Sequence, residues 1–187
     1  SERTREEGRA HIQHLLDIAD EFDLPVDAHI DESDDPHSRL TEVLATEALD
    51  RGIGDRTTAS HATAMHSYPN EYAGVLTDLL AEAEMSVVTN PLSNAVLQGR
   101  YDDYPVRRGH TRIRELRAAG VPVGIGQDNV VDHFNAYGDG DPLNAAHMLV
   151  HFAHYNVYED VSEIWDMLLA GNAAVFGTGR PELAEGR

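Results

Sequence analysis

The chain has 187 residues and no cysteine, and its 33 acidic residues against 14 basic ones give a formal charge of −19. This length suits one domain with a substantial core, so we predict a single domain over residues 1–187. Without thiolates, a transition-metal site must use imidazole and carboxylate. A chain with this negative charge and no cluster of basic residues is a poor binder of nucleic acid. No apolar run of about 20 residues and no charged-then-apolar leader is visible, so we expect a cytoplasmic protein without a membrane partner.

All 14 basic residues are arginine, and lysine is absent. A surface of carboxylates without lysine is typical of proteins kept soluble by hydrated acidic groups in high salt. We therefore interpret the chain as halophilic. The alternative is an ordinary acidic protein, because an excess of acidic residues is common by itself. Only the absence of lysine favours the halophilic interpretation.

The halophilic interpretation predicts that added salt stabilises the fold. Repulsion among 33 carboxylates opposes the compact state, and raising the salt from about 0.1 M to about 1 M shortens the Debye length from roughly 10 Å to roughly 3 Å. We expect the midpoint of thermal unfolding to rise across a series from low to molar salt. A flat or falling midpoint would contradict the interpretation.

The predicted elements alternate along the chain. An amphipathic helix comes first, within SERTREEGRAHIQHLLDIADEF, and its apolar stripe is Ile12, Leu15, Leu16 and Ile18. Four short apolar runs then predict strands: LPVDAHI, RTTASHA, MSVVTN and VPVGIGQ. The segments between them have helical period: SRLTEVLATEALDRG, NEYAGVLTDLLAEAE and TRIRELRAA. This alternation predicts an α/β fold with four buried parallel strands and flanking helices.

Polar residues follow every predicted strand at its carboxyl end. They are His29 and Glu32, His61 and His66, Asn90 and Asn94, and Asp128 and Asn129. In parallel α/β folds this edge is where sites are built. A lone histidine there is usually structural, but strands ending in His, His and Asp together favour a ligand set for zinc or ferrous iron. A glutamate near such a metal is placed to transfer protons.

Five motifs carry a family resemblance. HIDESDDPHSR, ASHATAMHSY, NPLSN, LQGRYDDYPVRRG and GQDNV resemble, in the same order, the strand-end motifs of bacterial cytosine deaminases of the amidohydrolase superfamily. The resemblance implies half of a TIM-like (β/α)8 amidohydrolase barrel, namely its fifth to eighth strands. It also implies a metal-dependent hydrolase that releases ammonia from cytosine or a related nucleobase, with one divalent metal, Zn or Fe(II).

The resemblance further implies a role for each site residue. His29 would be the metal ligand of the fifth strand, and Asp128 the eighth-strand carboxylate that binds metal and accepts a proton. Glu32 would be the catalytic shuttle that protonates the ring nitrogen. His61 would orient or deprotonate the attacking water, and we also count it among the predicted metal ligands.

The chain departs from the family pattern in the last motif. Gln127, Asp128 and Asn129 stand where the deaminases commonly read His-Asp-Asp, so the metal carboxylate is kept and the next one is neutralised. We predict that Asn129 contacts substrate. Phe134 stands where the relatives place an aromatic residue that packs on the ring, so we predict a substrate contact there too, with ordinary packing inside the loop as an equal alternative.

The superfamily's first strand carries a His-x-His pair, which this chain lacks. His147, His151 and His154 share one helix, and we interpret them as an exposed stripe, not a metal site. A complete barrel needs about 250 residues, so we expect the amino-terminal strands to be missing.

A half barrel exposes two unpaired edges. We therefore predict a homo-oligomer, or a partner that supplies the missing half. Three functions stay open: a nucleobase deaminase that needs such completion, an amidohydrolase for another cyclic amide or amidine, and a non-catalytic remnant that oligomerises.

Overall fold

The computed structural model describes residues 4–179, so residues 1–3 and 180–187 of the predicted domain lie outside it. Within the described part, the strands are β1 Val26–Ile30, β2 Thr57–His61, β3 Ser86–Thr89 and β4 Val123–Ile125. The helices are α1 Arg5–Phe22, α2 Leu40–Arg51, α3 Asn70–Glu82, α4 Pro91–Leu97, α5 Ile113–Ala118, α6 Pro142–Phe152, α7 Asp160–Asp166 and α8 Asn172–Val175. None of these helices combines the length and the apolar character that a membrane crossing requires.

The four strands form one parallel sheet in chain order, β1-β2-β3-β4. Each lies inside its predicted segment, and α2, α3 and α5 lie inside theirs, so the predicted order of strands and helices is confirmed. The register pairs His29 with Ser60 and Ile30 with His61. The carboxyl ends of β1 and β2 therefore lie side by side, which brings their predicted site residues together.

The core lies where the helices pack on the sheet. Leu16 of α1, Leu44 of α2, Leu80 of α3 and Leu116 of α5 are fully buried and belong to one hydrophobic cluster. Burying each such side chain stabilises the fold by about 1.5–3 kcal/mol. The helices thus hold the sheet rigidly and fix the positions of its strand ends.

The predicted apolar stripe of the first helix is wrong at one position. In α1, Ile12 and Leu16 are buried, but Ile18 is 39% exposed, and Ala19 completes the buried face instead. Residues 12, 16 and 19 follow the i, i+4, i+7 spacing of one helix face, whereas residue 18 falls outside it.

The outer edge of β4 is covered by the chain itself. The Asn172 side chain accepts a hydrogen bond from the Ile125 backbone N–H (3.0 Å) and donates one to the Ile125 carbonyl oxygen (3.1 Å). Gly171 lies flush against the same strand, because a Cβ there would be 2.0 Å from the Val123 carbonyl oxygen. The expectation that both edges are unpaired is therefore wrong for β4.

The other edge strand, β1, pairs only with β2 in the part of the chain that the structure describes. Its pattern alternates, with Asp27 and His29 exposed on one face and Val26 and Ile30 buried on the other. An edge of this kind is a template for pairing with another chain. The predicted oligomer stays a prediction, and light scattering at high salt should give at least a dimer; a monomer would contradict it.

Candidate metal centre

Histidine and carboxylate side chains from neighbouring strand ends meet at the carboxyl edge of the sheet. His29 lies on β1, Glu32 follows that strand, and His61 is the last residue of β2. Each of these three residues offers one ligand atom, and the three atoms lie within 4.8 Å of one another. No other three potential ligands among residues 4–179 come this close together. Asp128, beyond β4, lies beside the group, with its Oδ2 3.9 Å from His61 Nε2. The predicted set His29, His61 and Asp128 is thus close together, and Glu32 joins it.

His61 is the buried centre of this group, with a side chain that is fully shielded from solvent. Its Nε2 lies 3.1 Å from Nδ1 of His29, and the two rings meet edge to face with centroids 4.7 Å apart. Its Nδ1 lies 3.2 Å from Nδ2 of Asn94 and 3.5 Å from Oε1 of Glu32. Both ring nitrogens therefore face polar partners.

Three strand ends at the site use the left-handed backbone region. Asp31 has φ 49°, His61 φ 72° and Asp128 φ 65°. Non-glycine residues held there cost roughly 1–3 kcal/mol each and persist only where the surroundings determine the conformation. Such strain clusters at functional sites, and here it sets the direction in which each side chain leaves its strand.

The surroundings of Asp31 show how one of these conformations is held. The buried carboxylate accepts hydrogen bonds from the backbone N–H groups of Leu40 (3.0 Å) and Thr41 (2.7 Å) at the start of α2. It also accepts from the hydroxyls of Ser38 and Thr41, both at 2.7 Å. Asp31 therefore caps α2 from a distance and ties the end of β1 to it, directly before Glu32.

A second network fastens the loop that follows α4. His66 Nε2 lies 3.0 Å from Asp34 Oδ1, while the backbone N–H of Gly99 donates to Asp34 Oδ2 at 2.8 Å. Arg107 pairs with Asp102 and donates to the Asp34 carbonyl oxygen. The LQGRYDDYPVRRG motif is thus joined to the loop after β1, and His66 belongs to this network.

Burial changes the proton affinity of two groups at the site. The pKa of Glu32 is raised, first by burial and then by the negative charge of Asp128, while His29 opposes the shift. Burial lowers the pKa of His61 to about 4, against the opposing charge of Asp128. A carboxyl group with a raised pKa holds a proton closer to neutral pH, which suits proton transfer.

The lowered pKa of His61 predicts acid sensitivity of the metal-free chain. Unfolded His61 takes up a proton near pH 6.5, whereas the folded residue resists protonation until about pH 4. Between these pH values the unfolded state binds more protons than the folded state, so the free energy of unfolding decreases as the pH falls. The full loss is roughly 3 kcal/mol. Denaturant titrations should show a shallower loss in His61→Gln than in the wild type, and equal slopes would contradict the assignment.

A cavity of about 360 Å³ opens beside the group. Its lining includes Asp27, His29, Ser60, Asn90 and Asp128. Gly126 lets the Asn90 side chain pack against this wall, because a Cβ at position 126 would lie 2.1 Å from Oδ1 of Asn90 and that side chain would have to shift. The volume falls in the range of small-molecule sites, about 300–1,000 Å³.

The predicted substrate residues lie in the loop after β4. Asn129 accepts a hydrogen bond from the Ser93 hydroxyl and donates one to Asp132 Oδ2, so both ends of its amide are used within the protein. Phe134 is 48% exposed and packs on the His133 ring with centroids 4.1 Å apart. Substrate contact by either residue stays a prediction.

His147 and His151 form an exposed stripe on α6, whereas His154 lies two residues beyond the end of that helix with φ 57°, so the interpretation that all three share one helix is wrong for His154. His147, His151 and His154 are all exposed. The Nε2 atoms of the first two lie 3.0 Å apart. This stripe is a feature of the helix surface and is separate from the candidate metal centre.

The donor set of the centre fits a divalent metal. Two imidazoles and two carboxylates are available, and His29, Glu32 and His61 lie close enough to share one ion. Nitrogen and oxygen donors of this kind suit zinc and ferrous iron alike. The group could therefore hold a divalent metal, and its chemistry does not distinguish the two.

Known proteins similar to this chain are amidohydrolases and deaminases. The model of the amidohydrolase family matches residues 2–187. Pterin deaminase of Rhizobium rhizogenes (strain K84) is 34% identical over 146 residues, which are 78% of this chain and 33% of that protein. The crystal structure of 5-methylcytosine deaminase from Klebsiella pneumoniae liganded with 5-fluorocytosine is 40% identical with a TM-score of 0.93, over 100% of this chain and 45% of that one. An adenosine deaminase from Xanthomonas campestris with bound zinc is 24% identical with a TM-score of 0.65, over 91% and 36% of the two chains, and shares the fold.

The chain thus spans between a third and a half of the length of these relatives. Its four parallel strands and flanking helices match part of a TIM-like barrel, so the predicted partial-barrel fold is confirmed. The resemblance found in the strand-end motifs is confirmed as well, because the family match covers nearly every residue. This chain belongs to the amidohydrolase family.

Proposed function

We propose that the chain carries part of the active site of a metal-dependent hydrolase that deaminates an amino-substituted pyrimidine ring, with cytosine as the first candidate. The observation that carries the proposal is the convergence of His29, Glu32 and His61, with Asp128 beside them, at one edge of the sheet. The names of the relatives support the substrate class. 5-Methylcytosine and pterin each carry an amino group on a carbon next to a ring nitrogen, and enzymes named for both are similar to this chain.

One divalent ion, Zn or Fe(II), would be held by His29, Asp128 and His61. When bound, it supplies a water of lowered pKa for attack at neutral pH. The exposed position of His29 on β1 leaves this side of the centre open to further ligands. Completion by a second chain or a missing barrel half would supply them.

The chain's own residues would move the protons. Hydrolytic deamination replaces the amino group by the oxygen of water, and one water proton ends on the ring nitrogen while the other leaves in ammonia. Glu32 takes a proton from the attacking water, delivers it to the ring nitrogen and then protonates the departing nitrogen. Asp128 accepts the remaining proton of the water and returns it through Glu32 to the departing nitrogen, so both water protons reach the products, and His61 orients the water. The raised pKa of Glu32 suits a group that must both accept and donate.

Ammonia release tests the proposal. Cytosine, 5-methylcytosine and pterin would be assayed with Zn or Fe(II), using the chain alone and the chain mixed with the part of the Klebsiella enzyme that it does not match. Metal-dependent release from one of these rings is expected, at least in the mixture. A metal-loaded mixture that is inactive on all three would contradict the proposal and favour the remnant or an amidohydrolase of another cyclic amide or amidine.

A further inference from the structure

Asn94 is a fully buried amide that faces the centre of the site from α4. Its Nδ2 lies 3.2 Å from Nδ1 of His61, across 33 residues of sequence. Its Oδ1 is buried and has no hydrogen-bond partner in the described part of the chain. The backbone of Asn94 is fixed, since its N–H donates to the Asn90 carbonyl oxygen at 3.0 Å and its own carbonyl oxygen accepts from Gln98 at 2.9 Å.

The hydrogen-bond balance decides which end of this amide faces His61. With Nδ2 toward the imidazole, the oxygen is the atom left without a partner. With the amide turned over, the oxygen would face the imidazole, and both N–H groups of Asn94 would take the buried place that offers no partner. Proteins tolerate under-satisfied carbonyl oxygens better than orphaned N–H groups. The donor end therefore faces Nδ1 of His61.

We propose that Asn94 is a positioning residue that holds His61 in the tautomer protonated on Nε2. A neutral imidazole has one donor nitrogen and one acceptor nitrogen. Because Nδ1 accepts from Asn94, the ring proton lies on Nε2. That nitrogen faces Nδ1 of His29 at 3.1 Å and Oδ2 of Asp128 at 3.9 Å.

This tautomer changes the role of His61. A protonated Nε2 has no free lone pair, so it donates a hydrogen bond toward the His29 and Asp128 side of the site instead of ligating a metal there. His29 and Asp128 then remain as the ligands of the predicted set, and His61 becomes the group that orients water. This catalytic consequence rests on the proposed function, whereas the tautomer itself does not.

Glu32 is the competing partner of the same nitrogen. Its Oε1 lies 3.5 Å from Nδ1 of His61, farther than the amide nitrogen of Asn94. A carboxylate there would favour a proton on Nδ1, which is the opposite tautomer. The distances favour Asn94, since a contact of 3.5 Å is outside the usual range for an N–H···O hydrogen bond.

Nitrogen NMR of the metal-free chain reads the tautomer directly. The sample would be the 187-residue chain labelled with ¹⁵N histidine and treated with a chelator. Spectra would be recorded at a pH above the ordinary imidazole pKa of about 6.5. The variant His61→Gln would identify the signals of His61. We expect Nε2 to be protonated and Nδ1 to show the downfield shift of an unprotonated ring nitrogen. A protonated Nδ1 in the wild type would overturn the proposal, whatever the variants do.

Variants assign the effect to Asn94. In Asn94→Asp the carboxylate can only accept, so the pattern should invert and the proton should move to Nδ1. Asn90→Asp is the matched control, because Asn90 is also buried and lies four residues earlier; it should leave the wild-type pattern, as should Glu32→Gln. If Asn94→Asp does not fold, Asn94→Ala should give a mixture of both tautomers. An unchanged pattern in the folded Asn94 variants, or an inverted one in Glu32→Gln, would overturn the assignment.

Failure of the proposed function is distinguishable from failure of this inference. Absence of ammonia release would leave the NMR pattern of the metal-free chain unaffected. Conversely, a protonated Nδ1 would leave deamination intact as a proposal and would restore His61 as a ligand through Nε2.

Discussion

Replacing Glu32 with glutamine is expected to remove nearly all deaminase turnover while the bound metal is retained. General acid–base catalysis contributes about 10²–10⁴-fold. Here one carboxylate would serve both protonation of the ring nitrogen and departure of ammonia, so we expect a loss at or beyond the top of that range. Ammonia release and metal content would be measured together on the completed protein described above.

The metal measurement is needed because the structure places Glu32 close to both histidines. Its carboxylate lies within ligand distance of an ion that His29 and His61 could share, so a ligand role competes with the shuttle role. His29→Ala should lose the metal, and Glu32→Gln should not. Asp35→Asn is the matched control, since Asp35 lies three residues away in the same acidic loop and is exposed; its activity should equal that of the wild type.

Two outcomes would end the shuttle assignment. Turnover of Glu32→Gln at the wild-type level would make Glu32 a solvated acid of an acid-rich loop. Loss of metal in parallel with turnover would make it a ligand. Retained metal with a turnover loss of at least about 10²-fold is the result that supports proton transfer.

The sequence predicts the sheet well because the relevant signals are local. Each strand is a short apolar run between turn residues, and each helix repeats its apolar residues with helical period. Parallel pairing then brings the strand ends to one edge, which is why His29 and His61 could be expected together. Their adjacency follows from the register of Ile30 with His61.

Three residues that organise the structure could not be identified in this way. Each of them binds a residue that is distant in sequence. Asp31 contacts Thr41 ten residues later, and Asn94 contacts His61 33 residues earlier. Asn172 contacts Ile125 47 residues earlier. Short polar side chains in loops and at helix starts form many local turns and caps, so their spacing does not name a distant partner. Asn94 stands at a predicted strand end, but its partner depends on where α4 places it.

The second large expected effect concerns Asp31, whose replacement with alanine should lower the free energy of unfolding by about 3–5 kcal/mol. The substitution removes the carboxylate that caps α2 and leaves the N–H and O–H groups of Thr41 without a partner in a buried position. A lost helix cap costs about 1 kcal/mol, and each buried unsatisfied donor about 1–3 kcal/mol. Denaturant unfolding at fixed salt measures the difference.

Asp35→Ala is the control for this prediction. Asp35 is exposed and accepts a hydrogen bond from the backbone N–H of His37 at 2.8 Å, so it forms a local turn without bridging two elements. Its loss should cost less than about 1 kcal/mol. If Asp31→Ala were equally mild, the hydrogen bonds to α2 would not be what holds the end of β1.

The same substitution should also disturb the site at temperatures where the variant remains folded. Asp31 holds its left-handed φ of 49° because its carboxylate is anchored on α2, and this conformation sets the direction in which Glu32 leaves the strand. Without the anchor, the backbone is free to relax toward the β region that alanine prefers. We therefore expect folded Asp31→Ala, in the completed protein, to lose turnover while His29 and Asp128 still hold the metal. Full turnover in the folded variant would mean that Glu32 is positioned independently of α2.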